Sequence, residues 1–429
     1  MGNTMKRWMT GIIAAAVTVV CAMGSGVRAE EAQTQPEIVT LAPVGGEQVA
    51  ASELEAKLKI ANDSTRSMPL SGVVDLTVLT QISAAQVREL IERYHIPDSC
   101  RYLDGELRSS GDLDYTISRR NIAALTDPIS LQYGVMTENT AVRRYPTWQQ
   151  LTEDGQPESP DFFQETMLLI GEGVVVLHQT EDGVWSFVQG ETDNGWVETA
   201  DIAFCQIEDM NAYINAESFA VITDDELTAG ENELRMGTRL PIARIEDGDA
   251  VVWLPESNEN GNLYYSEQRI HLTSGICLGY LPFLPDVVVE QCIKMLDMPY
   301  GSGDAGGYVD SLSAVGAIYR SFGILLPRQA DAMVYAGGSV VGISQMSAEE
   351  KKSYIMSQPA GCILLSDKQA AIYLGTDASQ TAKIFHCVQS YSADGTTVTE
   401  ANRCVETSID SYSADGVKYL DQYQYVISF

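Results

Sequence analysis

The 429-residue sequence predicts a multidomain α+β protein: a helical N-terminal segment, two small β-barrels in series and a C-terminal α+β domain. Three observations predict it. Short alternating apolar runs broken by Asp-Gly and Asn-Gly turns begin at Tyr133, the pattern of hairpins closing into small barrels. Beyond Leu284 the texture changes to a helix with a sustained apolar stripe, followed by apolar strand-like runs. The N-terminus is an apolar run behind Lys6 and Arg7, separated from all of this by a polar stretch without periodicity.

The apolar run extends from about Trp8 to Met23, and Val27-Arg28-Ala29 supplies small residues for cleavage, so residues 1–29 are expected to be a secretory signal peptide. A membrane association is expected only if that segment is not cleaved. Cys21 lacks the small preceding residues of a lipoprotein site. Residues 30–67, rich in Glu, Gln, Ala and Ser, read as a linker. Removing residues 1–29 leaves 24 basic against 59 acidic residues, a net charge of −35. Such a chain repels polyanions, so nucleic acid is excluded as an electrostatic partner. Seven cysteines remain, none with CxxC spacing, and in a chain with 45% hydrophobic residues they are expected as buried thiols.

Residues 68–130 form the N-terminal segment. In Ile82-Ser83-Ala84-Ala85-Gln86 the serine is placed to cap a helix with Gln86 reaching back, and Val87, Leu90 and Ile91 give it one apolar face before Pro97. The first β module, 131–205, carries Thr140–Thr147 (TAVRRYPT), Gly171-Glu172-Gly173 before Val174–Leu177, Asp182–Val188 (DGVWSFV) and Gly195-Trp196-Val197. Trp185 and Trp196 are expected in its core or rim. The second module, 206–285, carries Leu234–Pro241 (LRMGTRLP), Val251–Pro255 (VVWLP) and Gly279–Pro282 (GYLP). His95, His178 and His271 fall in these regions and read as surface or packing residues.

In residues 286–429, Tyr300-Gly301-Ser302-Gly303 precedes Asp310-Ser311-Leu312-Ser313, which opens a helix with Leu312, Val315, Ile318, Tyr319 and Phe322 as its buried stripe and Gly323 at its end. Leu326-Pro327-Arg328 follows, and later Gln369–Gly375 (QAAIYLG) and Ile384-Phe385-His386-Cys387. This frame resembles the NlpC/P60 family of bacterial cell-wall endopeptidases, which read PYxWGG, then D-C-S at a helix start, then GHVxIYLG on a strand. The two β modules are similar to the bacterial SH3 domains that accompany it, and residues 68–130 to the segment that braces the catalytic domain. The resemblance implies two SH3-like barrels and a papain-like C-terminal domain, acting on or binding peptidoglycan stem peptides or a wall-associated protein.

The resemblance also implies a damaged site. Ser311 stands at the position of the nucleophilic cysteine, Gln369 at that of the general base, and His386 at the third, orienting position. A cysteine at the first turn of a helix is held as thiolate by backbone N–H groups and the dipole. A hydroxyl there needs a base, and an amide is none. Ser311 has an alternative role as a helix cap. A Ser311–His386 dyad would require the histidine to move by most of its own length. Cys387 neighbours His386 but alternates to the opposite strand face, and Cys292 and Cys362 begin no helix. Tyr300 corresponds to the tyrosine that helps hold the reacting carbonyl oxygen, and Asp310 to the acid that meets the free amine of the stem peptide. Ser302 replaces the family tryptophan and Leu312 the serine after the nucleophile. No cofactor and no metal ion are expected. The readings left open are a degenerate wall-binding protein, an active endopeptidase of the γ-D-glutamyl–diamino acid bond, and an SH3-mediated scaffold.

Overall fold

The computed structural model describes residues 72–109, 111–224, 227–273 and 275–429. The expected signal peptide, linker and first residues of the N-terminal segment lie outside the described residues. All described residues fall within the unit Thr34–Phe429.

Helix Ala84–Glu92 starts at the capping box read from the sequence: the Gln86 N–H donates to Ser83 Oγ at 3.2 Å and the Ser83 N–H to Gln86 Oε1 at 3.1 Å. Its buried residues are Val87 and Ile91. They share a core with Val135, Val175, Leu177, Trp185, Phe187 and Trp196 of the first β module, so this helix is a flank of that module. The segment is also less helical than expected, because Asp104 and Gly105, both at positive φ, turn a hairpin of Tyr102–Leu103 with Glu106–Leu107. Tyr102–Leu103 pairs in turn with Leu151–Thr152.

The first module is an antiparallel sheet in the order Ile202–Cys205, Gln132–Met136, Gly173–Gln179, Trp185–Gln189, Asn194–Glu198, Thr140–Arg143, Gln164–Leu168. Trp185 and Trp196 are both buried, which places their area in the core. The second module opens with a helix, Ile207–Ile214, that the sequence reading missed. Five strands follow, in the order Leu263–His271, Asp249–Ser257, Arg239–Glu246, Phe219–Ile222, Ile276–Leu278.

The C-terminal domain is α+β. Its sheet runs Ser339–Gly342, Tyr425–Ser428, Ile363–Leu365, Ala370–Thr376, Ala382–Ser392, Val398–Ser408, with Tyr412–Ser413 pairing beside Ala382–Ser392. Both faces are covered. On one, Ile363, Leu365, Ala370, Ile372, Phe385 and Cys387 pack with Ala314, Val315, Ile318 and Tyr319 of helix Ser311–Arg320. On the other, Leu364, Ala371, Tyr373 and Ile384 pack with Ile355, Tyr419 and Leu420. Gly323, at φ 75°, lets the chain reverse after helix Ser311–Arg320, and the Ile324 N–H returns to the Tyr319 carbonyl at 3.1 Å.

Candidate active site

The site is built on the N-terminus of helix Ser311–Arg320. The cap is Asp310, not Ser311: one carboxylate oxygen accepts from the N–H of Leu312 at 3.0 Å and of Ser313 at 3.1 Å, and Ser313 Oγ accepts from the Asp310 N–H at 3.0 Å. Ser311 is therefore the first helical residue. It is buried, and its hydroxyl enters none of these capping bonds. The other oxygen of Asp310 accepts from the Gly303 N–H at 3.2 Å and from the Arg328 guanidinium. Burial alone would raise the Asp310 carboxyl, but Arg328 and the helix amides hold it below the usual carboxylate range. Asp310 is an anion at neutral pH, with both oxygens engaged.

Tyr300 lies beside it. The Tyr300 N–H donates to the Asn402 carbonyl at 2.9 Å and the Gly301 N–H to Val309 at 3.0 Å, which tie this strand-like piece to the start of the helix. Burial raises the Tyr300 phenol, and the Asp310 carboxylate adds to the shift, so it stays a neutral donor. The next segment, Ser302–Gly307, is held against the first β module. Gln164 Nε2 donates to the Gly303 carbonyl at 2.7 Å and Thr166 Oγ1 to Asp304 at 2.8 Å. Gly303 needs to be glycine here: its φ is 63°, and a Cβ would lie 2.9 Å from the Gln164 carbonyl oxygen.

Gln369 closes a tight turn at the start of strand Ala370–Thr376, where its N–H donates to Ser366 Oγ at 3.0 Å and its carbonyl accepts from the Ser366 N–H at 2.9 Å. No hydrogen bond joins it to Ser311 among the described residues.

His386 does not join the site. Strand Ala382–Ser392 directs Phe385 and Cys387 toward helix Ser311–Arg320 and Ile384 toward the other layer, so His386 faces away from Ser311. Its Nε2 is hydrogen-bonded to Thr407 Oγ1 at 3.0 Å and its ring meets Tyr419 edge-on at 4.7 Å. Burial pushes the imidazole down to about 3, so it is neutral and structural. Beside His386 on that strand, Cys387 lies on the site's side, and its Sγ donates to the Val309 carbonyl at 3.3 Å. Alternation could not reveal this in advance, because Ile384-Phe385-His386-Cys387-Val388 is buried on both faces.

Sequence reasoning also missed the cross-module charge network. The Arg328 guanidinium donates to Asp310 and to the Glu165 carbonyl at 3.2 Å, while its N–H donates to the Thr192 carbonyl at 3.2 Å. The Glu165 side chain is held by Arg144 and Gln329, and the Asp193 side chain by Arg93 at 3.2 Å. Burial raises both Asp304 and Asp193 to about 6. Glu165 goes the other way, because Arg144 and Arg328 outweigh its burial. The signal available was Arg328 in its Leu-Pro-Arg motif.

Beside this network lies a cleft of about 460 Å³ between the modules. It is lined from the C-terminal domain by Ser302, Gly303, Asp310, Leu312 and Arg328, from the first module by Arg144, Gln164 and Glu165, and at its rim by Pro97 and Cys100. Glu153, Asp154 and Asp161 line it as well, so carboxylates outnumber the two arginines, and Arg144 and Arg328 are paired with Glu165 and Asp310; Leu312 adds an apolar patch.

Residues 147–198 match the SH3 domain of the SH3b1 type. Among solved structures the chain is similar to an NlpC/P60 endopeptidase from Photobacterium damselae subsp. piscicida, at 16% identity over 84% of this chain and 87% of that one, with a TM-score of 0.67. It is also similar to an NlpC/P60 family protein from Bacillus cereus, at 16% identity over 69% of this chain and 99% of that one, with a TM-score of 0.46. No curated protein matches the chain by sequence. The chain thus contains an SH3 domain of the SH3b1 type and shares, over most of its length, the fold of an NlpC/P60 endopeptidase.

Proposed function

We propose that this chain is an exported cell-wall protein of NlpC/P60 type that binds peptidoglycan stem peptides, or a wall partner presenting the same chemistry, and has lost hydrolysis. What supports the reading is the helix start, where Ser311 is the first helical residue and Gln369 is tied into a turn with Ser366, read here as the nucleophile's and the base's positions, while His386 is buried on the far face of the sheet. A hydroxyl without a base is not a nucleophile at neutral pH. Losing a triad member costs up to about 10⁶ in kcat. A typical ~10 s⁻¹ enzyme would fall to roughly one turnover per day.

Binding is a separate matter. Stem peptides carry a free amine, which suits the acidic lining at Glu153 and Asp154, and α-carboxylates, which Arg144 and Arg328 meet only by exchanging their present partners Glu165 and Asp310. The chain's net negative charge disfavours electrostatic capture by the wall's anionic polymers, and the cleft is the place we assign to recognition. Export follows from the leader read in residues 1–29. Among the described residues no helix is long and apolar enough to cross a membrane.

Calorimetric titration of the chain from residue 30 with L-alanyl-γ-D-glutamyl tetrapeptide tests this. Saturable binding is expected, weakened at least tenfold by Arg144→Ala. Absence of binding would favour the scaffold reading, in which the SH3-like modules engage a protein.

A further inference from the structure

The floor of the site holds two cysteines opposite one another. Strands Ala382–Ser392 and Val398–Ser408 are antiparallel, with Cys387 in register with Cys404. Directly opposite residues project to the same face, and both cysteines belong to the buried layer beneath helix Ser311–Arg320. The hydrogen bonding identifies the kind of pair. The Cys404 N–H donates to the Met298 carbonyl at 2.8 Å, and the Cys404 carbonyl accepts from the Asp297 N–H at 3.0 Å. Both backbone groups of Cys404 thus point away from Cys387, which makes this a non-hydrogen-bonded pair. Such pairs hold their Cα atoms about 4.5 Å apart with the side chains at their closest. Disulfides span Cα separations of about 4.4–6.8 Å.

We propose that Cys387 and Cys404 form a cross-strand disulfide when the chain meets a disulfide-exchange oxidant, and that this is a built-in modification site under the candidate active site. One thiolate attacks the oxidant disulfide and releases one of its halves as a thiol, leaving a mixed disulfide. The second thiolate attacks the protein sulfur of that mixed disulfide and releases the other half. The two cysteines lose two protons and two electrons, and the oxidant becomes two thiols. The bond withdraws the Cys387 S–H from the Val309 carbonyl, which keeps the Gly301 N–H at 3.0 Å. It locks the strand that carries segment Asp297–Tyr300 to the strand that faces the site helix. The proposal is independent of whether the cleft binds a stem peptide.

The sequence makes the test clean. Trypsin cuts after Lys383, Arg403 and Lys418, so the two cysteines fall in separate peptides, 384–403 and 404–418, each with one cysteine. The full chain is refolded in an oxidising glutathione buffer, or collected from an oxidising bacterial periplasm, checked for native circular dichroism, alkylated and digested without reduction. The expected result is peptides 384–403 and 404–418 as one linked species that separates on reduction, with Cys292 and Cys362 alkylated. In Cys387→Ser the linked species disappears and peptide 404–418 is alkylated. Folded wild-type chain with both peptides alkylated, or with either cysteine joined elsewhere, would overturn the proposal. Because the wild-type digest decides it, a variant that fails to fold does not matter.

Discussion

Replacing Arg328 by methionine isolates what the buried charge network contributes. The guanidinium is about 90% buried, forms a salt bridge with the equally sheltered Asp310 and donates to the Glu165 carbonyl. Methionine keeps most of the volume and removes the charge, leaving the Asp310 carboxylate facing the raised, buried Asp304 without a cation. Breaking a buried pair from one side costs about 3–5 kcal/mol, because the remaining charge loses its partner but stays desolvated. In a domain of this size each kcal/mol lowers Tm by about 2–4 °C. Urea and thermal unfolding, followed by circular dichroism, should therefore show a fall of roughly 6–20 °C. The double variant with Asp310→Asn should recover part of it, since the charge that faced Arg328 most directly is then gone, and the non-additivity measures the coupling. A change under 1 kcal/mol in Arg328→Met, or strict additivity with Asp310→Asn, would refute the claim that this pair joins the helix cap to the first module.

Three further outcomes are expected. Asp304 sits well above its ordinary 3.8, at about 6 when folded, so the folded state holds its proton more tightly than the unfolded chain. Its stabilisation is full below about pH 4 and is lost as pH rises through 6, worth up to about 3 kcal/mol at about 1.4 kcal/mol per pH unit. Asp304→Asn should flatten that part of the stability profile between pH 4 and 7, while Asp310 and Glu165, held below the usual range, stay ionised throughout. Ser83→Ala removes one half of the capping box and should destabilise by about 1 kcal/mol in urea titrations. Ser311→Cys alone should remain inert towards a stem tetrapeptide, and adding Gln369→His should give the first measurable hydrolysis. Turnover by the single variant would show that a base other than residue 369 serves the site.

How much of this was legible in the sequence depended on the range of the interaction. The Ser83–Gln86 box, the Asp-Gly turns and the helix from Ser311 to Gly323 are local, fixed within a few residues by capping and backbone preference, and they read directly. The hairpin at Asp104-Gly105 carried the same local signal and was overlooked. The clamp on segment Ser302–Gly307 was out of reach, since Arg328 and Glu165 stand 163 residues apart and Thr166 and Asp304 138 apart. The orientation of His386 failed for another reason. A strand buried on both faces has no polar side to set its phase, so a one-residue ambiguity exchanges a histidine for a cysteine at the site. Asp310 reads from the resemblance as a ligand for substrate; in the structure it is the helix cap and the partner of Arg328.

The most direct measurement is mass spectrometry of disaccharide–tetrapeptide incubated for a day with equimolar chain from residue 30, wild type beside Ser311→Ala. Intact substrate in both samples, with the same samples showing saturable binding, is the predicted result. Cleavage at the γ-D-glutamyl bond by the wild type and not by Ser311→Ala would contradict it, and would mean that Ser311 has a base that neither Gln369 nor the buried His386 supplies.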